Sequence, residues 1–132
     1  MSEKSSAFES ALGRVRGLGA ARDGVHHWWV QRVTAIALIP LGLWFVLGVV
    51  GHMGASHAEA VAWVGSPLNA TLMALTVTAL FYHAYLGLQT VVEDYIHGEL
   101  AKMGLLLAIA FASVFFAVLA IFSILRVALG GV

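Results

Sequence analysis

Hydrophobic positions in this chain neither alternate nor recur on a single helical face; they run together in long blocks that charged residues interrupt. Residues 33–58 contain no Asp, Glu, Lys or Arg, and 34–50 are almost wholly aliphatic and aromatic. Gly51, His52, Gly54 and Ser56 then break the run. A second charge-free stretch covers 60–92, and Gly65-Ser66-Pro67 divides it into a connecting loop and a helix starting near Leu68. A third covers 103–125. Some ~20 apolar residues in a helix rising about 1.5 Å each cross a hydrocarbon core about 30 Å thick. The pattern predicts an all-α integral membrane bundle of three transmembrane helices, over residues 33–53, 68–92 and 103–125, preceded by an N-terminal segment 1–31. Helices buried in a soluble core would each show a wider polar face. Pro40 lies inside the first span, where a membrane helix tolerates it if neighbours satisfy the freed carbonyl.

Composition agrees with this pattern and adds an orientation. The chain is 61% hydrophobic and 11% charged, against about 45–50% apolar for soluble domains. Lys plus Arg and Asp plus Glu balance at seven each, so net charge gives no sign of a nucleic-acid partner. Cysteine is absent, which removes disulfides and thiolate chemistry and leaves six histidines as the main candidate ligands. Lys4, Arg14, Arg16, Arg22 and Arg32 precede the first span, whereas 51–67 contain no Lys or Arg. The positive-inside rule therefore puts the N-terminus in the cytoplasm and the C-terminus in the periplasm, with Lys102 inside and Arg126 the one outside exception. Glu3, Glu9 and Asp23 fit neither a secretory signal nor an acid-poor transit peptide, so a bacterial cytoplasmic membrane is the expected setting. The short loops leave no room for a soluble catalytic domain.

Ionisable groups in or beside a span are costly and so mark candidate chemistry. One cluster, 23–32, contains His26, His27, Trp28, Trp29, Gln31 and Arg32. Trp and Arg there suit an interfacial belt, while the two histidines, Gln31 and the arginine also suit an anionic group such as a propionate or phosphate. His83 stands alone within the second span, about 22 Å from its start. It reads either as interhelical hydrogen-bonding glue or as an axial haem ligand, with Gly87 one turn on leaving room for a flat macrocycle. His83, Gly87, Thr90 and Asp94 share one stripe of the helix, leading from mid-membrane towards Asp94 and Tyr95 at its inner end. An acid beside a phenol is either a polar helix exit or the equipment that binds and protonates a quinone carbonyl. His52, His57 and His97 fall in loops, and the third span carries only Ser113 and Ser123 as polar groups.

Two motifs resemble those of a known family, the smaller membrane anchor subunits of succinate dehydrogenase. They are Gly24-Val25-His26 followed by Arg32 and Thr34-Ala35, and His83-Ala84 followed by Gly87, Gln89, Asp94 and Tyr95. The resemblance implies that His83 is an axial ligand of haem b, with the opposite ligand on a second three-helix anchor subunit. It further implies that Tyr95 and Asp94 bind ubiquinone, and that His26 and Arg32 lie towards the haem propionates. The chain would then be half of a two-subunit anchor in membrane lipid, docking an iron-sulfur subunit and a flavoprotein subunit, without succinate oxidation activity of its own. Two rivals are an anchor of a quinol:fumarate reductase and a small structural or transport membrane protein whose His83 is only glue.

Overall fold

The computed structural model describes residues 21–130, and within them every regular element is an α-helix. Helix α1 spans Ala21–Gly51, α2 His57–Gly65, α3 Pro67–Tyr95 and α4 Glu99–Ala128. Three of them, α1, α3 and α4, are long and apolar enough to cross a membrane. Most of the N-terminal segment, with Lys4, Arg14 and Arg16, lies outside the described residues. Contacts divide the chain after Val30. In the part before it, residues 21–30 are helical, and Trp28 and Trp29 meet edge to face at 5.7 Å between ring centroids.

From Gln31 onward, α3 is the central element. It packs on α4 and on the short α2, and α2 also packs on α4. Three residues, 96–98, join α3 to α4, so two helices of about 30 residues that pack on each other must run antiparallel. Among the described residues the buried hydrophobic side chains, Ala70, Met73, Leu86 and Val92, all lie on α3. Ile39 of α1 and Phe111 of α4 are 70% and 73% exposed, in the company of many large apolar neighbours. Such continuous apolar surface is stable only against lipid or partner helices.

Polar side chains of the spans satisfy themselves locally, as a low-dielectric surround demands. Thr71, Thr76, Thr78, Thr90 and Ser123 each donate a hydroxyl to the carbonyl four residues back, at 2.7–3.1 Å. These five hydroxyls need no ligand to explain them. Gln89 Nε2 likewise donates to Glu93 Oε1 at 2.8 Å, one turn on.

The reading of 51–67 as a plain loop is corrected by α2. Ser56 caps it: the Ser56 hydroxyl accepts from the Glu59 amide at 3.3 Å, while the Ser56 amide and hydroxyl donate to Glu59 Oε2 at 2.7 and 2.8 Å. Those two donors, the backbone one foremost, hold the Glu59 carboxyl below its usual range, helped by the nearby His52. Gly54, at φ 85°, supplies the left-handed residue in the turn before the cap. Ser66 then caps α3, Pro67 occupies its first turn, and Asn69 Nδ2 donates to the Trp63 carbonyl at 2.7 Å. The end of α2 is thereby tied to the start of α3.

Trp63 joins α2 to α1. Its indole stacks on Trp44 at 6.1 Å and on His52 at 4.6 Å, and His52 Nδ1 donates to the Gly48 carbonyl at 2.8 Å. A Cβ on Gly48 would collide with Trp63 Cζ2. Gly48→Ala is therefore expected to displace the indole and cost about 1–3 kcal/mol. A lower thermal midpoint of the solubilised protein, with red-shifted tryptophan emission, is the readout; wild-type values would show that the ring does not sit on Gly48.

Candidate functional site

His83 lies in the membrane-spanning body of α3, partly buried. Thr34 and Gln31, one turn apart on α1, reach it across the helix gap. Thr34 Oγ1 is 3.0 Å from His83 Nδ1, and Gln31 Nε2 is 3.4 Å from His83 Nε2. A threonine hydroxyl has one proton, and here it goes to a backbone carbonyl, that of Gln31 at 3.1 Å. With the proton so used, the hydroxyl oxygen can accept from His83 Nδ1, and the tautomer protonated on Nδ1 satisfies both contacts. That assignment leaves Nε2 with its lone pair, facing the Gln31 amide, which donates to it over a long hydrogen bond.

The ground beside the imidazole is open but not empty. A Cβ built on Gly87 would meet only Gln31 Nε2, at 3.6 Å. So Gly87 does remove bulk one turn from His83, and the Gln31 side chain lies over the space. Gln31 Oε1 is buried with no hydrogen-bond partner among the described residues. A buried carbonyl oxygen left unpaired is costly.

These features decide whether an axial haem ligand fits. Iron takes a neutral imidazole nitrogen, and ligating histidines donate their other N–H to an oriented acceptor. His83 has the required lone pair on Nε2 and the required acceptor on Nδ1, and the flat approach over Gly87 is blocked by one movable side chain. No cluster of three or more His, Cys, Asp or Glu occurs among the described residues, and axial ligation by a single imidazole would not need one. The residues present fit the group.

The other candidates are placed separately. Asp94 and Tyr95 end α3, both exposed, Tyr95 at 76%. They lie about 16–18 Å along the helix axis from His83, so α3 presents two stations and not one cluster. Arg32 is exposed on α1 beside Gln31, and His26 is exposed in the part of the chain before Gln31. The sequence suggests Gln31 only as part of a polar group for an anion and Thr34 only as part of a motif; neither is marked there as a partner of His83. Their signal is geometric: they pair with a residue 52 and 49 positions away. A separate apolar cavity of about 460 Å³ opens between α3 and α4, lined among others by Phe81, Tyr82, Tyr85, Ala110, Ser113 and Ala117. His83 does not line it.

A family model described as succinate dehydrogenase/fumarate reductase transmembrane subunit matches residues 6–121. The chain is similar to the succinate dehydrogenase hydrophobic membrane anchor subunit of Rickettsia bellii (strain RML369-C), at 32% identity over 108 residues, 81% of this chain and 86% of the relative. Similarity to the subunit of the same description from Paracoccus denitrificans is 30% over 116 residues, covering 88% and 89%. A succinate dehydrogenase membrane anchor subunit of Reclinomonas americana is 29% identical over 85 residues, 62% of this chain and 71% of the relative.

Proposed function

The chain belongs to the succinate dehydrogenase/fumarate reductase transmembrane subunit family, and on that premise we propose that it is the hydrophobic anchor that holds a succinate dehydrogenase at the membrane and helps carry its electrons to quinone. The observation that carries the finer part of this reading is His83, an imidazole in the body of α3 whose Nδ1 lies 3.0 Å from Thr34 Oγ1, a contact that suits the tautomer with its lone pair on Nε2. The relatives named for succinate dehydrogenase favour succinate oxidation over the fumarate-reducing direction that the family description also covers. They also leave no reason to read the chain as an unrelated structural or transport protein.

In this reading His83 would hold haem b from one side, and a second three-helix anchor would supply the opposite ligand. When bound, the haem supplies a one-electron centre inside the membrane. The apolar faces of α1 and α4, exposed along their length, are the surface available to that second anchor and to lipid. His26 and Arg32 are the cationic and hydrogen-bonding groups assigned to the propionates. The cations before the first span set the N-terminus in the cytoplasm and the C-terminus in the periplasm of a bacterial inner membrane. That orientation turns the α3–α4 link, with Asp94 and Tyr95, towards the flavoprotein and iron-sulfur subunits.

Tyr95 and Asp94 perform the proton chemistry. The Tyr95 hydroxyl donates to a ubiquinone carbonyl oxygen, which gains electron density as the ring is reduced, and the hydrogen bond strengthens accordingly. Asp94 beside it relays a proton from water on the cytoplasmic side. Succinate itself never meets this chain.

Deleting the chain in its own cell is expected to release succinate:dye reductase activity from the membranes into the soluble fraction, and to abolish succinate:quinone activity. Dye reductase activity that stays membrane-bound at the wild-type level would contradict the anchoring role.

A further inference from the structure

The contacts of His83 on α1 oppose each other. Thr34 Oγ1 meets the nitrogen that does not face the open ground, and Gln31 Nε2 meets the one that does. Fixing the proton on Nδ1 prepares Nε2 as an electron-pair donor. The Gln31 amide uses that same pair, at 3.4 Å, and covers Gly87, so it competes for the site that Thr34 prepares. Its own carbonyl oxygen is buried and unpartnered among the described residues, so the long contact to His83 is all that the amide head gains in this seat. Resting on the haem reading above, we propose that Thr34 and Gln31 are positioning residues of opposite sign: Thr34 sets the tautomer that makes His83 a ligand, and Gln31 is a placeholder that iron must displace.

The two roles require substitutions to move affinity in opposite directions. Removing the Nδ1 acceptor with the near-isosteric Thr34→Val leaves the ring proton free to move and the ligand less basic; loss of such a partner costs about 10- to 100-fold in affinity. A less basic ligand also stabilises ferric iron less, so the midpoint potential of the bound haem shifts upward. Thr34→Ser keeps the hydroxyl and restores both. Gln31→Ala deletes a weak neutral hydrogen bond to the unliganded ring, which corresponds to a gain of about two- to tenfold in affinity.

The test uses the full complex, purified through this chain from haem-starved cells and titrated with haemin, with b-type absorbance per complex as the readout. Weaker loading in Thr34→Val, rescue in Thr34→Ser and tighter loading in Gln31→Ala are the expected results. Weakening in both Thr34→Val and Gln31→Ala means that these side chains only support packing, and overturns the proposal. So does wild-type affinity in both, or a Thr34→Ser that loads no better than Thr34→Val. His83→Ala, titrated alongside, separates the two levels. If it loses haem while the other variants match the wild type, the positioning roles fail alone; if it binds haem as the wild type does, the haem reading fails and takes them with it.

Discussion

Replacing His83 with alanine is expected to remove the b-type absorbance of the complex almost entirely. The imidazole is the one side chain in the membrane body of α3 with an available nitrogen lone pair, and Thr76, Thr78 and Thr90 there are engaged with the carbonyls of their own helix. Nothing within reach of Thr34 and Gly87 replaces it as an iron ligand. The substitution also leaves the Thr34 hydroxyl bonded to the backbone and costs the Gln31 amide only a long hydrogen bond of 3.4 Å. Subunit composition should therefore survive while the spectrum does not. An unchanged spectrum would sink the ligand assignment, and would return His83 to the role of a hydrogen-bonding bridge between α1 and α3.

Tyr95→Phe carries the second large effect. The ring stays and only the hydroxyl goes, from a residue 76% exposed at the end of α3, so little stability rests on it. If that hydroxyl hydrogen-bonds the quinone carbonyl as charge develops on it, succinate:quinone activity should fall by about 100-fold or more. Succinate reduction of an artificial dye should persist, because the dye takes electrons before the membrane site. Equal loss of both activities would point to failed assembly, and wild-type quinone activity would remove Tyr95 from the site.

The spans were legible because lipid demands long uninterrupted apolar runs, and a single charge in such a run is conspicuous. Their helical ends were not. The helices of Ala21–Gly51, Pro67–Tyr95 and Glu99–Ala128 begin or end beyond the charge-free bodies, because a backbone that is already helical continues through Arg32, Glu93 and Lys102 at the water boundary. Hydropathy sees where the solvent changes and not where the hydrogen-bond ladder stops. The short α2 was missed for the opposite reason: it has too few residues for a periodicity signal, although Ser56 and Glu59 already formed the capping pattern that announces it.

Within the candidate site, His83 was visible from depth alone, since an ionisable group in mid-span needs a reason. The tautomer, and hence the direction in which the ring can donate, was not visible. It depends on Thr34 and Gln31 arriving from another helix, a pairing that no spacing rule within one helix encodes. Gly87 is legible as missing bulk, whereas the Gln31 side chain that lies against it comes from α1 and is announced by no spacing within α3. The shared stripe of His83, Gly87, Thr90 and Asp94 was legible as geometry, yet Thr90 turned out to be engaged with the Leu86 carbonyl. The two candidate positions on this helix, His83 and the Asp94–Tyr95 end, lie apart along it.

The central claim is that this chain is half of a cofactor-holding anchor. It is tested most directly by purifying the detergent-solubilised complex through this chain and recording its reduced-minus-oxidised optical spectrum beside its subunit composition. The account predicts a b-type difference spectrum that succinate itself can elicit, together with a flavoprotein, an iron-sulfur subunit and a second small hydrophobic subunit. A chain that purifies alone, or a complex that shows no b-type band with either succinate or a chemical reductant, would contradict it.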